Sequence, residues 1–332
     1  MSRCLYCYQE LTGGVPSGGV PSGGVPSGGV PSSNEVEFHS KCIKKIFGLS
    51  KSPILSFGKN ELKEIAKQFI IRSVTVTGVQ PKLSLAIEKI DTQNSRLTIV
   101  GLWGNFILKP PTEQFSNLPE NEDLTMKLAS ICGIRTAEHT LIRLQSGELA
   151  YLTKRFDRTK NSKIHVEDFC QLTETLTEHK YRSSMEKVGK AIRKFSTNSG
   201  FDALTFFELT IFCFLTGNAD MHLKNFSLIK NENGDISFAP AYDLLSTKLA
   251  MPEDNEQMAL TINGKKNRLK KIDFDKLAES LEISHTTAER VYNKFRKNLI
   301  PIKKMITESF LSEEMKVQYQ TLIEDRLNLL NV

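Results

Sequence analysis

Glycine is scarce in this 332-residue chain once one tract is set aside. Eight of the 20 Gly and four of the 12 Pro fall in residues 13–32, which read GGVPS four times over. What is left excludes a collagen-like chain, and 39% hydrophobic with 25% charged residues excludes wholesale disorder. Six cysteines are too few for a dense disulfide framework. The polar first ten residues carry no secretory signal. The most apolar run, residues 206–215, is broken by Glu208 and too short to span a bilayer. A reduced, cytoplasmic protein without membrane contact is the expectation. Spread-out positive charge is missing too. Residues 1–40 sum to −2, residues 41–72 to +6 and residues 73–332 to only +2. The main body is therefore not expected to grip a polyanion such as DNA directly.

What is present begins with two pairs of soft ligands. Cys4-x-x-Cys7 precedes the repeat and His39-x-x-Cys42 follows it. Such pairs can close a tetrahedral Cys3His zinc site across a loop of any length, or they are ordinary thiols beside a surface histidine. The GGVPS tract between them, with a Gly pair and a Pro in each unit, reads as a flexible, turn-rich insertion. Residues 60–72 have apolar side chains at helical spacing, with Asn60 as the N-cap.

From residue 73 the texture is period-2: strands at 73–77, 82–87, 97–102, 105–108, 140–144 and 150–153, with one helix at 122–132. After Arg158 helical patterns dominate, at 184–195, 202–215, 274–282, 285–297 and much of 301–330. The expected domains are an N-terminal Cys/His segment (1–72), a β-rich lobe to a hinge (73–157) and a mostly helical lobe (158–332).

The chemistry concentrates after the apolar helix 202–215. Asn218, Asp220, His222, Lys224 and Asn225 fall within eight residues, a density of polar side chains typical of a loop held by a rigid element. Asp220 and Asn225 have the spacing at which protein kinases keep a base and a metal ligand. Asp243, past an Asn233-Gly234 hairpin, can supply a second ligand for Mg2+, an ion that takes oxygen donors. Asp220 suits the role of accepting the proton of an attacking hydroxyl. Lys224 can offset phosphoryl charge. Lys109, ending an apolar strand, can hold the α and β phosphates of ATP, with Glu122 as its partner. Against these, His139, His165, His179 and His285 have no partner by spacing, and Cys132, Cys170 and Cys213 read as core thiols.

The ordered set Thr77-Gly-Val-Gln-Pro-Lys82, Phe106-Ile-Leu-Lys109-Pro110, Glu120-Asn-Glu122, Arg155-Phe-Asp-Arg158, Glu167-Asp-Phe-Cys-Gln171, Gly217-Asn-Ala-Asp220-Met-His222-Leu-Lys-Asn225 and Tyr242-Asp243 resembles the HipA-like serine/threonine kinases of bacterial toxin–antitoxin systems. The resemblance implies an α+β, bilobal protein-kinase-like fold. It implies a nucleotide site made of Thr77, Gly78, Val79, Gln80, Pro81, Lys82, Lys109, Lys154, Arg155, Phe156, His222, Leu223, Lys224, Asn225, Tyr242 and Asp243. Asp220 is its implied catalytic base, and Asn225 with Asp243 its magnesium ligands. A serine that the family autophosphorylates is replaced here by threonine, Thr75 by alignment with Thr77 beside it. Longer members carry about a hundred residues before the kinase core. This chain looks like the short form found in three-component systems. That form implies a separate small N-terminal-domain-like partner and a helix-turn-helix antitoxin, through which DNA is reached indirectly. The implied substrate is a protein, such as an aminoacyl-tRNA synthetase. Two alternatives stand beside this reading. One is a small-molecule or lipid kinase, since Asp-x-His-x-x-Asn also resembles the phosphoinositide kinase loop. The other is a non-catalytic scaffold or regulator.

Overall fold

The computed structural model describes residues 2–11, 36–101, 103–159 and 162–331, except 73–80 and, for side chains only, 66–72. The GGVPS tract, the expected strand at 73–77 and Thr75, Thr77, Gly78, Val79 and Gln80 lie outside the described residues.

The N-terminal part contributes α1 (Ser40–Phe47) and α2 (Lys59–Arg72). A five-stranded antiparallel sheet follows, built from β1 (Leu83–Lys89), β2 (Ser95–Ile99), β3 (Phe106–Lys109), β4 (His139–Arg143) and β5 (Leu149–Lys154) in the order β2-β1-β3-β5-β4. Helix α3 (Leu118–Ile131) packs across β4 and β5. It starts four residues before the sequence pattern indicates, because Pro119 sits in its first turn, where a missing N–H costs nothing. Helix α2 likewise starts at Lys59, so Asn60 lies inside the first turn and is not its cap; Glu61 Oε2 there accepts from the Gly58 N–H.

The second lobe is built around α6 (Ser199–Thr216), whose Phe206, Phe207, Ile211, Phe212, Phe214 and Leu215 are buried on all sides. An all-round apolar helix has to be a core element. Each fully buried Phe contributes about 2–3 kcal/mol by area. The whole 18-residue helix is long and apolar enough to cross a membrane, unlike the shorter run that flags it in the sequence, yet two thirds of it is buried within the protein. Around it stand α5 (Met185–Phe195), α8 (Lys271–Ser280), α9 (His285–Lys297), α10 (Leu299–Glu308) and α11 (Glu313–Leu329), with the single-turn helices α4 (Phe169–Leu172) and α7 (Thr247–Ala250). The lobe is not wholly helical. Strands β6 (His165–Asp168), β7 (Ser227–Lys230) and β8 (Ile236–Phe238) form a small antiparallel sheet, and the Asn233-Gly234 turn joins the last two.

The lobes are sewn together by polar contacts as well as apolar ones. Asn121 on α3 donates through Nδ2 to the Ser246 carbonyl and accepts from the Ser246 N–H through Oδ1, both at 2.9 Å. The Ala137 N–H donates to the Ala241 carbonyl, and the Ala241 N–H to the Arg135 carbonyl. The segment carrying Tyr242 and Asp243 is thus held directly against the first lobe.

Candidate active site

The site lies where four pieces of backbone meet: the end of β3, the buried face of α3, and two loops of the second lobe. Gly217 closes α6 with φ +67, a left-handed turn that glycine adopts without strain. A Cβ there would come within 2.9 Å of Lys248 Cβ and 2.8 Å of Leu322 Cδ2. The loop it opens is locked from inside. Asn218 Oδ1 accepts from the Asp220 N–H at 3.1 Å, and Asn225 Nδ2 donates to the Asp220 carbonyl at 2.9 Å. Thr247 Oγ1 accepts from the Ala219 N–H and donates to the Gly217 carbonyl. Tyr242 reaches back to donate to the Lys224 carbonyl and pairs with the Ser227 hydroxyl at 2.6 Å. The 217–225 loop and the 242–247 segment therefore form one rigid unit.

At its centre is an ion cluster. Lys109 Nζ is bonded to Glu122 Oε1 at 2.5 Å and to Asp243 Oδ1, while Lys82 Nζ donates to Asp243 Oδ2 at 2.7 Å. Lys109 and Glu122 are both buried. Burial alone would push the lysine down, but Asp243 and Glu122 outweigh it and hold it protonated. Burial raises Glu122 to about 7, with the Asp243 charge beside it adding to the effect and Lys109 opposing it. Burial would raise Asp243 as well, but Lys109 and Lys82 keep its carboxyl well below the usual range, so it is ionised. Asp243 has φ +57, a conformation that Asp tolerates better than most residues and that is common at functional turns.

Magnesium and a nucleotide fit this donor set. Asp243 offers a carboxylate held in its charged form, and Asn225, having committed its Nδ2, keeps its amide oxygen for a cation. Lys82 and Lys109 are the cations phosphate oxygens would meet, and Glu122 Oε2 is a buried acceptor with no hydrogen-bond partner among the described residues. Of the expected hinge, Lys154 ends β5 on Phe106, the Arg155 N–H donates to the Asn105 carbonyl, and Phe156 stacks on Tyr242 with ring centroids 5.5 Å apart. The Arg155 guanidinium itself turns away to pair with Asp157 at 2.7–2.9 Å. Pro81 leads into β1, and Leu223 is a buried anchor below the loop.

Three features escaped the sequence patterns. Tyr181 donates to Asp220 Oδ1 at 2.5 Å and sets its ring edge-on to His222 at 4.9 Å. Lys224 is paired with Asp168 at 2.8 Å, so its charge is already balanced. His139, expected to lack a partner, is buried against Asp123 at 2.7 Å. Each pairing joins residues distant along the chain, where spacing carries no signal; of the partners Tyr181, Asp168 and Asp123, only Asp168 lay inside a motif. His222 is pushed down by burial, more strongly than the Asp220 charge can offset, and its Nδ1 has no partner among the described residues. It is suited to shaping the loop as a neutral ring. Cys132, Cys170 and Cys213 are buried free thiols, as their apolar context implies.

Away from this cluster, Cys4, Cys7, His39 and Cys42 converge, with their ligand atoms all within 4.8 Å of one another. They could hold one metal ion.

Known proteins resemble this chain. A protein of Sinorhizobium fredii named "Putative kinase Y4dM" is 34% identical over 240 residues, covering 67% of this chain and 58% of its own. The serine/threonine-protein kinase toxin HipA of Shewanella oneidensis is 28% identical over 212 residues, covering 57% and 47%. The chain thus spans about half the length of these curated relatives. A chain of the solved Shewanella oneidensis complex of HipA, HipB and operator DNA superposes with a TM-score of 0.64 at 20% identity, covering 82% of this chain and 73% of that one, which shows the bilobal kinase-like fold. Residues 74–301, well over half the chain and including every loop described above, match the HipA-like C-terminal domain, and this protein belongs to that family.

Proposed function

We propose that this chain is an ATP-dependent serine/threonine protein kinase acting as the toxin of a toxin–antitoxin system. The observation that carries this reading is the buried Lys109–Glu122–Asp243 cluster, joined through Thr247 and Tyr242 to the loop that bears Asp220 and Asn225. A scaffold would have no use for a lysine and a glutamate buried together, where desolvation is costly, and meeting a second lysine and an aspartate at the same point.

In this reading Lys109, fixed by Glu122, and Lys82 bind the nucleotide's phosphate oxygens, and the Lys154–Phe156 backbone borders the adenine. Magnesium held by Asn225 and Asp243 supplies charge neutralisation on the phosphates when bound. Asp220 orients a Ser or Thr hydroxyl and takes its proton as that oxygen bonds to the γ-phosphorus. The bond from phosphorus to the bridging oxygen breaks, and its electron pair leaves on ADP. Asp220 Oδ1 already accepts a hydroxyl, that of Tyr181, so the loop offers the carboxylate in an orientation such a donor can use. The acceptor is a protein, for which a translation component such as an aminoacyl-tRNA synthetase is the proposed class by family resemblance. The same resemblance supports autophosphorylation at Thr75 or Thr77, a small N-terminal-domain-like partner, a helix-turn-helix antitoxin and a cytoplasmic location.

The test is expression of wild type and Asp220→Ala in a sensitive bacterium, with phosphoproteomics on both. Growth arrest and new phosphosites are expected with wild type alone. Matching phosphoproteomes would overturn the proposal.

A further inference from the structure

We infer that Cys4, Cys7, His39 and Cys42 bind one zinc ion per chain, and that this ion clamps the N-terminal segment onto α3 as a positioning device for Glu122. The first half stands on geometry alone; the second rests on the kinase reading above.

The four ligands come from two short turns separated by the repeat. In the first turn the Tyr8 N–H donates to the Cys4 carbonyl at 2.9 Å, folding Cys4 and Cys7 onto the same side. In the second, His39 is the residue before α1, and the Cys42 N–H donates to its carbonyl at 2.9 Å. His39 Nδ1 lies 3.4 Å from Cys7 Sγ and 3.9 Å from Cys42 Sγ. Those lengths suit two edges of a tetrahedron whose centre would sit about 2.0–2.3 Å from each nitrogen and sulfur, the zinc distances, and all four ligand atoms lie within 4.8 Å of one another. The other ring nitrogen supplies an independent sign. His39 Nε2 is 3.1 Å from the Glu10 carbonyl, which accepts only from an N–H. That bond needs the proton of the neutral ring on Nε2, which leaves the Nδ1 lone pair beside the cysteine sulfurs, the second-shell arrangement of metal-bound histidine. A tetrahedral set of three sulfurs and one nitrogen suits zinc.

The clamp acts through the residues between the ligands. Leu5 accepts from the Leu141 N–H on β4, and Tyr6 donates to Glu138 at 2.8 Å. Tyr8, fully buried, donates to Asp123 Oδ2 at 2.6 Å. Asp123 also binds His139 and Lys127, and Lys127 lies 4.9 Å over the Tyr8 ring. Asp123 is the neighbour of Glu122 on α3, so whatever fixes Asp123 fixes the rotation at which Glu122 meets Lys109. The tract between the ligand pairs is, on this view, a tether whose two ends the metal joins.

The experiment uses the full chain made in zinc-supplemented medium. Metal content is measured by mass spectrometry for wild type, Cys7→Ser, Tyr8→Phe and Asp220→Ala, together with hydrogen exchange over α3 and KM and kcat for ATP. Cys7 is only half-buried, so its serine variant leaves the core intact. One equivalent of zinc is expected in wild type, Tyr8→Phe and Asp220→Ala, and less than a tenth of that in Cys7→Ser. Faster exchange across α3 and a several-fold higher KM for ATP, with kcat little changed, are expected in Cys7→Ser and, more weakly, in Tyr8→Phe. Absence of zinc from wild type, or full retention by Cys7→Ser, overturns the site. Unchanged α3 exchange and KM in both variants overturn the clamp. If wild type transfers no phosphate, the kinase reading fails, while zinc content and exchange still decide the inference.

Discussion

Glu122 is the residue through which pH reaches the site. Its carboxyl is raised from an ordinary 4.5 to about 7, chiefly by burial. Between those values the folded protein holds a proton that the unfolded chain releases. The contribution of Glu122 to stability is therefore full below about 4.5 and is lost as pH rises through about 7. Glu122→Gln removes this titration. The difference in melting temperature between wild type and variant is expected to shift in the variant's favour from pH 5 to pH 8 and then level off; a flat difference would place the titration elsewhere. Tyr181 makes a second residue-scale prediction. Its hydroxyl sits on Asp220 Oδ1, the oxygen that an acceptor hydroxyl would reach in the proposed reaction, so an acceptor would have to displace it. Tyr181→Phe should lower the KM for protein acceptor by about tenfold, the worth of one hydrogen bond to a charged group, with kcat nearly unchanged. A raised KM in steady-state assays would mean that Tyr181 helps hold the substrate instead. The residues of the cluster were legible in the sequence because each lay in a motif of the ordered set, Lys109 ending an apolar strand and Asp243 following the Asn233-Gly234 hairpin. Tyr181 was not, since nothing in a run of residues announces a partner 39 positions away.

At the scale of elements, the decisive feature is the exit from α6. An apolar helix buried on all sides ends at Gly217, and the loop is then tied down by Asn218, Asn225 and Thr247. Gly217→Ala forces a left-handed conformation on a residue with a Cβ and presses that carbon against Lys248 and Leu322. A loss of about 2 kcal/mol is expected, from backbone strain and crowding together. Chemical denaturation would measure it, and an unchanged midpoint would contradict the capping role. Helix α6 was plain in the sequence because its apolar content has no gaps. Helix α1 was not set apart from the basic stretch 41–72, whose lysines suit a solvated helix face; Cys42, Ile46 and Phe47 in it are buried together. The small sheet β6-β7-β8 was half-legible: Asn-Gly marks its hairpin, but the pairing of β6 with β7 joins segments some sixty residues apart.

At the scale of the whole molecule, three parts converge on α3. The sheet brings Lys109 to it, the second lobe binds it through Asn121 and Ser246, and the N-terminal turn reaches it through Tyr8. Helix α3 is the common support of all three, and it carries Glu122. The repeat joining the two cysteine turns should then be tolerant of length. Deleting two of its four GGVPS units shortens the connection by roughly a third, which changes the closure entropy by only about 0.3 kcal/mol. Melting temperature and ATP turnover should stay within error of wild type; a large loss would assign the tract a contact of its own. The lobes and their order could be anticipated from the switch in periodicity near Arg158. Their attachment could not, because it depends on side chains such as Asn121 and Tyr8 whose partners lie in other lobes. The central claim is that Asp220 receives the proton of an acceptor hydroxyl during phosphate transfer. It is tested most directly by the initial rate of phosphate transfer from ATP to protein with purified wild type and Asp220→Asn at saturating nucleotide. A fall of at least about 100-fold is predicted, the usual worth of a positioned general base, with ATP affinity unchanged. A rate within a few fold of wild type would contradict it.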